Sequence, residues 1–69
     1  MKTEDIVLAS TLKTLGYKML AIEKFGPKGR FEFEGVTERF LTDFDLGNIQ
    51  VEPKSFNYNL RSLASSVKR

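Results

Sequence analysis

The chain has no cysteine and no histidine. Without cysteine there is no disulfide, no thiolate metal site and no cysteine nucleophile. Without histidine the commonest general base and the commonest transition-metal ligand are missing together. The serines have no imidazole to activate them, and no Ser-x-x-Lys pattern stands in for one. Catalysis by lysine or carboxylate would need a pocket, and 69 residues leave little room for it. The chain therefore reads as a non-enzyme with no catalytic residue, no metal and no cofactor. No apolar run approaches membrane-spanning length. Met1–Asp5 leads into a helical pattern without the charged stretch, long apolar stretch and cleavage site of a secretory signal. A cytoplasmic setting and no membrane partner are expected.

What is there fits one globular domain over residues 1–69. Hydrophobic residues make up 41% and charged residues 29%, which is too apolar for a disordered chain. Six phenylalanines supply bulky core material. A domain this small has a thin stability margin. With disulfide and metal excluded, self-association is the remaining external support, although many domains of this size fold alone.

Local patterns give the elements. Thr3 suits a helix N-cap, with Glu4 and Asp5 where the helix dipole favours acids. Leu8, Leu12 and Leu15 form one apolar stripe, and Gly16 suits the stop, so the spacing predicts a helix over about residues 4–15. Two strand patterns flank Gly26-Pro27-Lys28-Gly29, and the second alternates Phe31, Glu32, Phe33, Glu34. Setting Phe25 opposite Arg30 places Ile22 opposite Phe33 and Glu23 opposite Glu32. That like-charge pair costs a few tenths of a kcal/mol. Leu20, Ile22, Phe31 and Phe33 then share the apolar face. Thr37 is a second N-cap candidate before Phe40, Leu41 and Phe44, with Gly47 as the stop. Ile49 and Val51 read as a short extended segment that could join the hairpin edge. Pro53 fits the first position of a last helix, whose Phe56, Leu60, Leu63 and Val67 form the most regular stripe in the chain.

The expected fold is a small two-layer α+β domain of order helix, strand, strand, helix, short strand, helix, with helices covering an antiparallel hairpin. The expected core is Leu8, Leu12, Leu15, Leu20, Ile22, Phe31, Phe33, Phe40, Phe44, Val51, Phe56, Leu60 and Leu63.

Five stretches carry a family likeness: Thr3-Glu-Asp-Ile-Val-Leu-Ala-Ser10, Leu15-Gly-Tyr-Lys18, Phe31-Glu-Phe-Glu34, Val51-Glu-Pro-Lys-Ser-Phe56, and Leu60-Arg-Ser-Leu63. Over roughly residues 3–64 the chain resembles a short prokaryotic and phage domain family of unknown function. The matching motifs are caps, stops and alternating strand residues. The resemblance implies a source in bacteria, archaea or their viruses, and so a host cytoplasm if phage-encoded. It carries no activity and no functional residue.

Charge is unevenly placed. Residues Lys54–Arg69 hold four basic side chains and no acid, while the preceding residues hold seven bases and nine acids. Lys54, Tyr58, Arg61, Ser65 and Lys68 recur at helical spacing opposite the apolar stripe. Cations in line suit phosphates, hydroxyls add neutral hydrogen bonds to the same backbone, and an aromatic among them can stack on a base. Asn57 and Asn59 add amides near the helix start. Lys24, Lys28 and Arg30 cluster at the hairpin tip, where a basic ribbon could extend the track. The candidate nucleic-acid-binding set is thus Lys54, Tyr58, Arg61, Lys68 and Arg69, with Lys28 and Arg30. The same residues also suit a solvated helix face, with Lys68 and Arg69 favoured by the helix dipole and the tip merely polar.

Other motifs fall short. Gly26–Gly29 lacks the spacing of a phosphate-binding loop, and Asp43–Lys54 lacks the glycine position and final glutamate of a calcium loop. Glu23, Glu32 and Glu34 could hold a hard cation, but a salt bridge to a basic helix, from this chain or a second one, is the more economical use. The candidate partners are DNA or RNA, a second copy of the chain forming a homodimer, or a host protein. For a protein partner, Tyr17, Met19, Ala21 and Phe25 would be the contacts.

Overall fold

A β-hairpin organises the molecule. The computed structural model describes residues 1–26 and 28–67, and of Phe25 only the backbone. The elements are β1 (Lys2–Thr3), α1 (Ile6–Thr14), β2 (Met19–Phe25), β3 (Lys28–Phe33), α2 (Glu38–Asp45) and α3 (Pro53–Val67). The strands form an antiparallel sheet of order β1-β3-β2. Helices pack on one face of it, which makes the α+β two-layer domain expected.

The third strand is not where the pattern placed it. Residues 48–52 are not strand. The edge of β3 that they could have joined is held by β1, where Lys2 stands opposite Glu32 and Thr3 opposite Phe31. The Met1 amine also donates to the Phe33 carbonyl at 2.9 Å, and the Phe33 N–H donates to the Met1 carbonyl at 2.8 Å. Recruiting Thr3 into the sheet delays the first helix. Asp5 is its N-cap, accepting from the N–H groups of Val7 and Leu8, and Glu4 and Asp5 precede the helix.

The hairpin register differs by two residues from the expected one. Phe25 faces Lys28, Glu23 faces Arg30 and Ile22 faces Phe31. The connection is therefore the pair Gly26-Pro27, and Gly26 has φ +59°, which suits the first position of the tight hairpin turns that match strand twist. Pro27 itself lies outside the described residues. A two-residue slip preserves the faces but replaces the repulsive Glu23–Glu32 pair with the attractive Glu23–Arg30 pair.

A bulge lies between Met19 and Ala21, since Met19 pairs Phe33 while Ala21 pairs Glu32. One extra residue reverses the alternation beyond it. Met19 turns toward the core in place of Leu20, which is 46% exposed. Ile22 keeps the core side but lies on the edge strand, where cover is incomplete, and Leu15 sits exposed at the helix cap.

The buried core is Leu8, Ala9 and Leu12 of α1, Phe31 and Phe33 of β3, and Leu63 of α3. Phe40 and Phe44 pack half-buried against it, while Val51, Phe56 and Leu60 are half-buried. Helix α1 is enclosed so fully that Ser10 and Thr11 are buried as well. Their hydroxyls donate to the carbonyls of Ile6 and Val7, at 2.7 and 2.8 Å, which meets the cost of burying them. Both short helices end as the glycines suggested. Gly16 and Gly47 have φ of +94° and +75°, and each helix closes with the paired N–H bonds of a Schellman motif.

Candidate nucleic-acid interface

Helix α3 begins at Pro53, whose missing N–H is harmless at a first helical position. Glu52 caps it. The carboxylate accepts from the Ser55 N–H at 2.7 Å and from the Lys54 N–H at 3.1 Å. These two backbone bonds hold the Glu52 carboxyl below its ordinary pKa. The positive end of the helix, a natural phosphate seat, is thereby occupied by the chain's own anion. The sequence reading of this site missed Glu52. The signal available was an acidic residue directly before a proline at a helix start.

The helix is oriented as its stripe predicts. Leu63 is buried, Val67 packs half-buried against the core, and Phe56 and Leu60 are half-buried. Lys54, Tyr58, Arg61 and Ser65 lie on the exposed side, with Tyr58 72% exposed. Among the described residues neither Lys54 nor Arg61 has an ion-pair partner. Tyr58, Arg61, Ser62, Ser65 and Ser66 form an open, exposed stretch of the helix surface. Lys54 and Arg61 are about 10 Å apart along the axis, the rise of roughly three nucleotides on one duplex strand. Lys68 and Arg69 lie outside the described residues.

Two other candidate contacts are used internally. Asn59 donates its amide to the Thr14 hydroxyl at 3.0 Å, linking α3 to α1. Arg30 bridges to Glu4 at 3.5 Å and to Glu23 at 4.0 Å. Glu23 also meets Lys2 at 3.7 Å. Of the acidic face, Glu23 is therefore paired with cations of the sheet itself, instead of the basic helix the sequence suggested. Among the described residues no group of three carboxylates is arranged to hold a metal.

Lys28 has a different setting. The next residue, Gly29, is buried against Val67 of α3. This contact brings the last turn of α3 to the hairpin tip, so Lys28 and Val67 line the same cavity. The tip and the helix end, far apart in sequence, share one end of the molecule. Arg30 does not join that track as a free cation.

The fold and this surface define a small two-layer α+β domain that presents a basic helix face. No helix among the described residues is long and apolar enough to cross a membrane. Comparison of the chain with protein-family models, with curated proteins and with solved structures finds no match in any of the three.

Proposed function

We propose that the chain is a small non-enzymatic binding protein of prokaryotic or phage origin, acting in the cytoplasm, that contacts nucleic acid through the outer face of α3. One observation carries the reading. Lys54 and Arg61 project from an exposed helix face with no ion pair among the described residues, while Lys2 and Arg30 are committed to carboxylates. Tyr58 between them offers an exposed ring for stacking on a base. Lys28 extends the track at the helix end, and Lys68 and Arg69, outside the described residues, complete the basic set read from the sequence. The origin rests on the family resemblance of residues 3–64.

These side chains are phosphate binders more than base readers, so binding is salt-sensitive with little sequence preference. Few cations take part, so the affinity is modest. Titration of single- and double-stranded DNA at low salt tests the reading. Binding that is lost in Lys54→Ala/Arg61→Ala supports it, and binding that survives in that variant rejects it.

The second reading is a protein–protein module, whether homodimer, adaptor or inhibitor of a host protein. Its support is the exposed apolar side chains Leu15, Leu20, Ile22 and Leu46, of which Leu20 and Ile22 lie on edge strand β2. Of the contacts expected from the sequence, Tyr17 and Met19 pack half-buried on the core. Light scattering that returns a stable dimer would favour this reading.

A further inference from the structure

Helix α3 carries its cations on one line. Successive residues of an α-helix turn by about 100°, so Arg61, Ser65 and Tyr58 fall within about 40° of Lys54 around the axis. All four are exposed, and the buried Leu63 lies on the opposite side. Beside that line the exposed residues of the helix are Asn57 on one flank and Ser55, Ser62 and Ser66 on the other, none of them charged. The face therefore offers a single row of positive donors with neutral borders.

A duplex suits a different arrangement. A helix lying in the major groove, which is about 12 Å wide, has a phosphate wall on each side. Cations on both flanks would reach both walls, and α3 has none on its flanks. A groove-reading helix also turns its first residues toward bases and phosphates. The start of α3 instead carries the Glu52 carboxylate, closed onto the N–H groups of Lys54 and Ser55. One phosphate backbone can follow the single row and clear that anion by starting at Lys54.

Tyr58 adds a second requirement. Its ring is 72% exposed and is not spent on the core, unlike Tyr17, which packs on Phe40 with ring centroids 5.3 Å apart. Tyr58 stands one turn after Lys54 and one turn before Arg61. An aromatic ring stacks on a base only where a base face is open. Inside a duplex both faces of each base are covered by its neighbours, whereas a single strand can splay a base out.

We propose, resting on the nucleic-acid reading of α3, that its outer face selects single-stranded nucleic acid over duplex. Lys54 and Arg61 hold one phosphate backbone, and Tyr58 stacks on a base between them. The base is taken by its π-face, which every base has, so the selection is for strandedness and not for sequence.

The test uses the whole chain and a labelled mixed-sequence DNA strand of about twelve nucleotides, a length within the range that one small domain covers. The strand is offered alone, annealed to its complement, and in an abasic form of equal length. At low salt the single strand should bind about fivefold or more tighter than the duplex, and the abasic strand should lose a similar factor, as expected for one stacked base. Tyr58→Ala, at an exposed position that folding does not need, should weaken the single strand by that factor and leave the duplex unmoved. Tyr58→Trp introduces a tryptophan into a chain that has none. Its emission should be quenched by the single strand and not by the duplex. Three results overturn the selection while leaving phosphate binding by α3 in place: a duplex bound as tightly as the single strand, an abasic strand bound as well as the intact one, or single-strand binding that Lys54→Ala/Arg61→Ala abolishes and Tyr58→Ala does not change. No binding of either DNA by the wild type overturns the nucleic-acid reading, and the selection with it.

Discussion

Val67 occupies the space in which Gly29 would carry a side chain. A Cβ built on Gly29 would overlap the Val67 Cγ1 methyl and lie 2.9 Å from its Cβ. Glycine is needed here for close approach, since no positive φ is involved. That approach seats the end of α3 on β3 and brings Lys28 to the helix.

Gly29→Ala should therefore destabilise the chain by about 1–3 kcal/mol, the usual penalty for overpacking a filled site. Urea unfolding measures it. Val67→Ala in the same chain should recover part of the loss, so the double variant will be more stable than the sum of the single effects implies. Strict additivity would mean that the two residues do not touch.

The hairpin register has its own test. Glu23 lies between Lys2 and Arg30, with all three side chains substantially exposed. Pairs of this kind contribute roughly 0.2–1 kcal/mol each. Glu23→Lys places a third cation among two and should cost about 1 kcal/mol at low salt, shrinking as salt rises; Glu23→Gln should cost less. With Glu23 opposite Glu32, as the strand pattern alone suggested, Glu23→Lys would instead stabilise the hairpin.

Those two relationships show where sequence reasoning reached and where it stopped. The α+β class, the Thr37 cap, the Gly16 and Gly47 stops, Pro53 at a helix start and the inward stripe of α3 depend on neighbours within one or two turns. Such signals are local, and they were legible. The two-residue slip of the hairpin conserved the alternation, so the alternating pattern could not distinguish the registers. The bulge that exchanged Met19 for Leu20 leaves no mark in the order of residues. Lys2–Thr3 is too short to show a strand period, and its partner is some thirty residues away. For the candidate site, the exposure of Lys54, Tyr58 and Arg61 followed from helical spacing alone. The loss of Arg30 to Glu4 and Glu23, and of Asn59 to Thr14, required tertiary placement.

The Glu52 cap predicts a pH dependence. Its native pKa is lowered, so on acidification the unfolded chain takes up the proton first. The stability it contributes is complete above the ordinary glutamate range and is lost as pH falls through the lowered native value. Comparing unfolding of the wild type with Glu52→Gln across acid pH checks this. The difference between them should be level near neutrality and should shrink toward low pH. A difference that grows on acidification would contradict the cap.

The Asn59–Thr14 bond joins the two most extensively packed helices. The Thr14 hydroxyl accepts from Asn59 and donates to the Ser10 carbonyl at 2.6 Å. Asn59→Ala should cost about 0.5–1.5 kcal/mol. Adding Thr14→Val should cost less in that background than in the wild type, read by thermal or urea unfolding. Equal costs in the two backgrounds would place Asn59 in solvent.

The central claim is that α3 turns its phenylalanine-leucine side inward and offers its cationic side to a phosphate backbone. Fluorescence anisotropy of a labelled single-stranded oligonucleotide, titrated with wild type and with Arg61→Ala over a series of salt concentrations, tests it most directly. The account predicts binding that weakens as salt rises, weaker binding by Arg61→Ala, and a salt slope smaller by about 0.7 for the one lost phosphate contact. No binding at low salt, or superimposable curves for the two proteins, would contradict it.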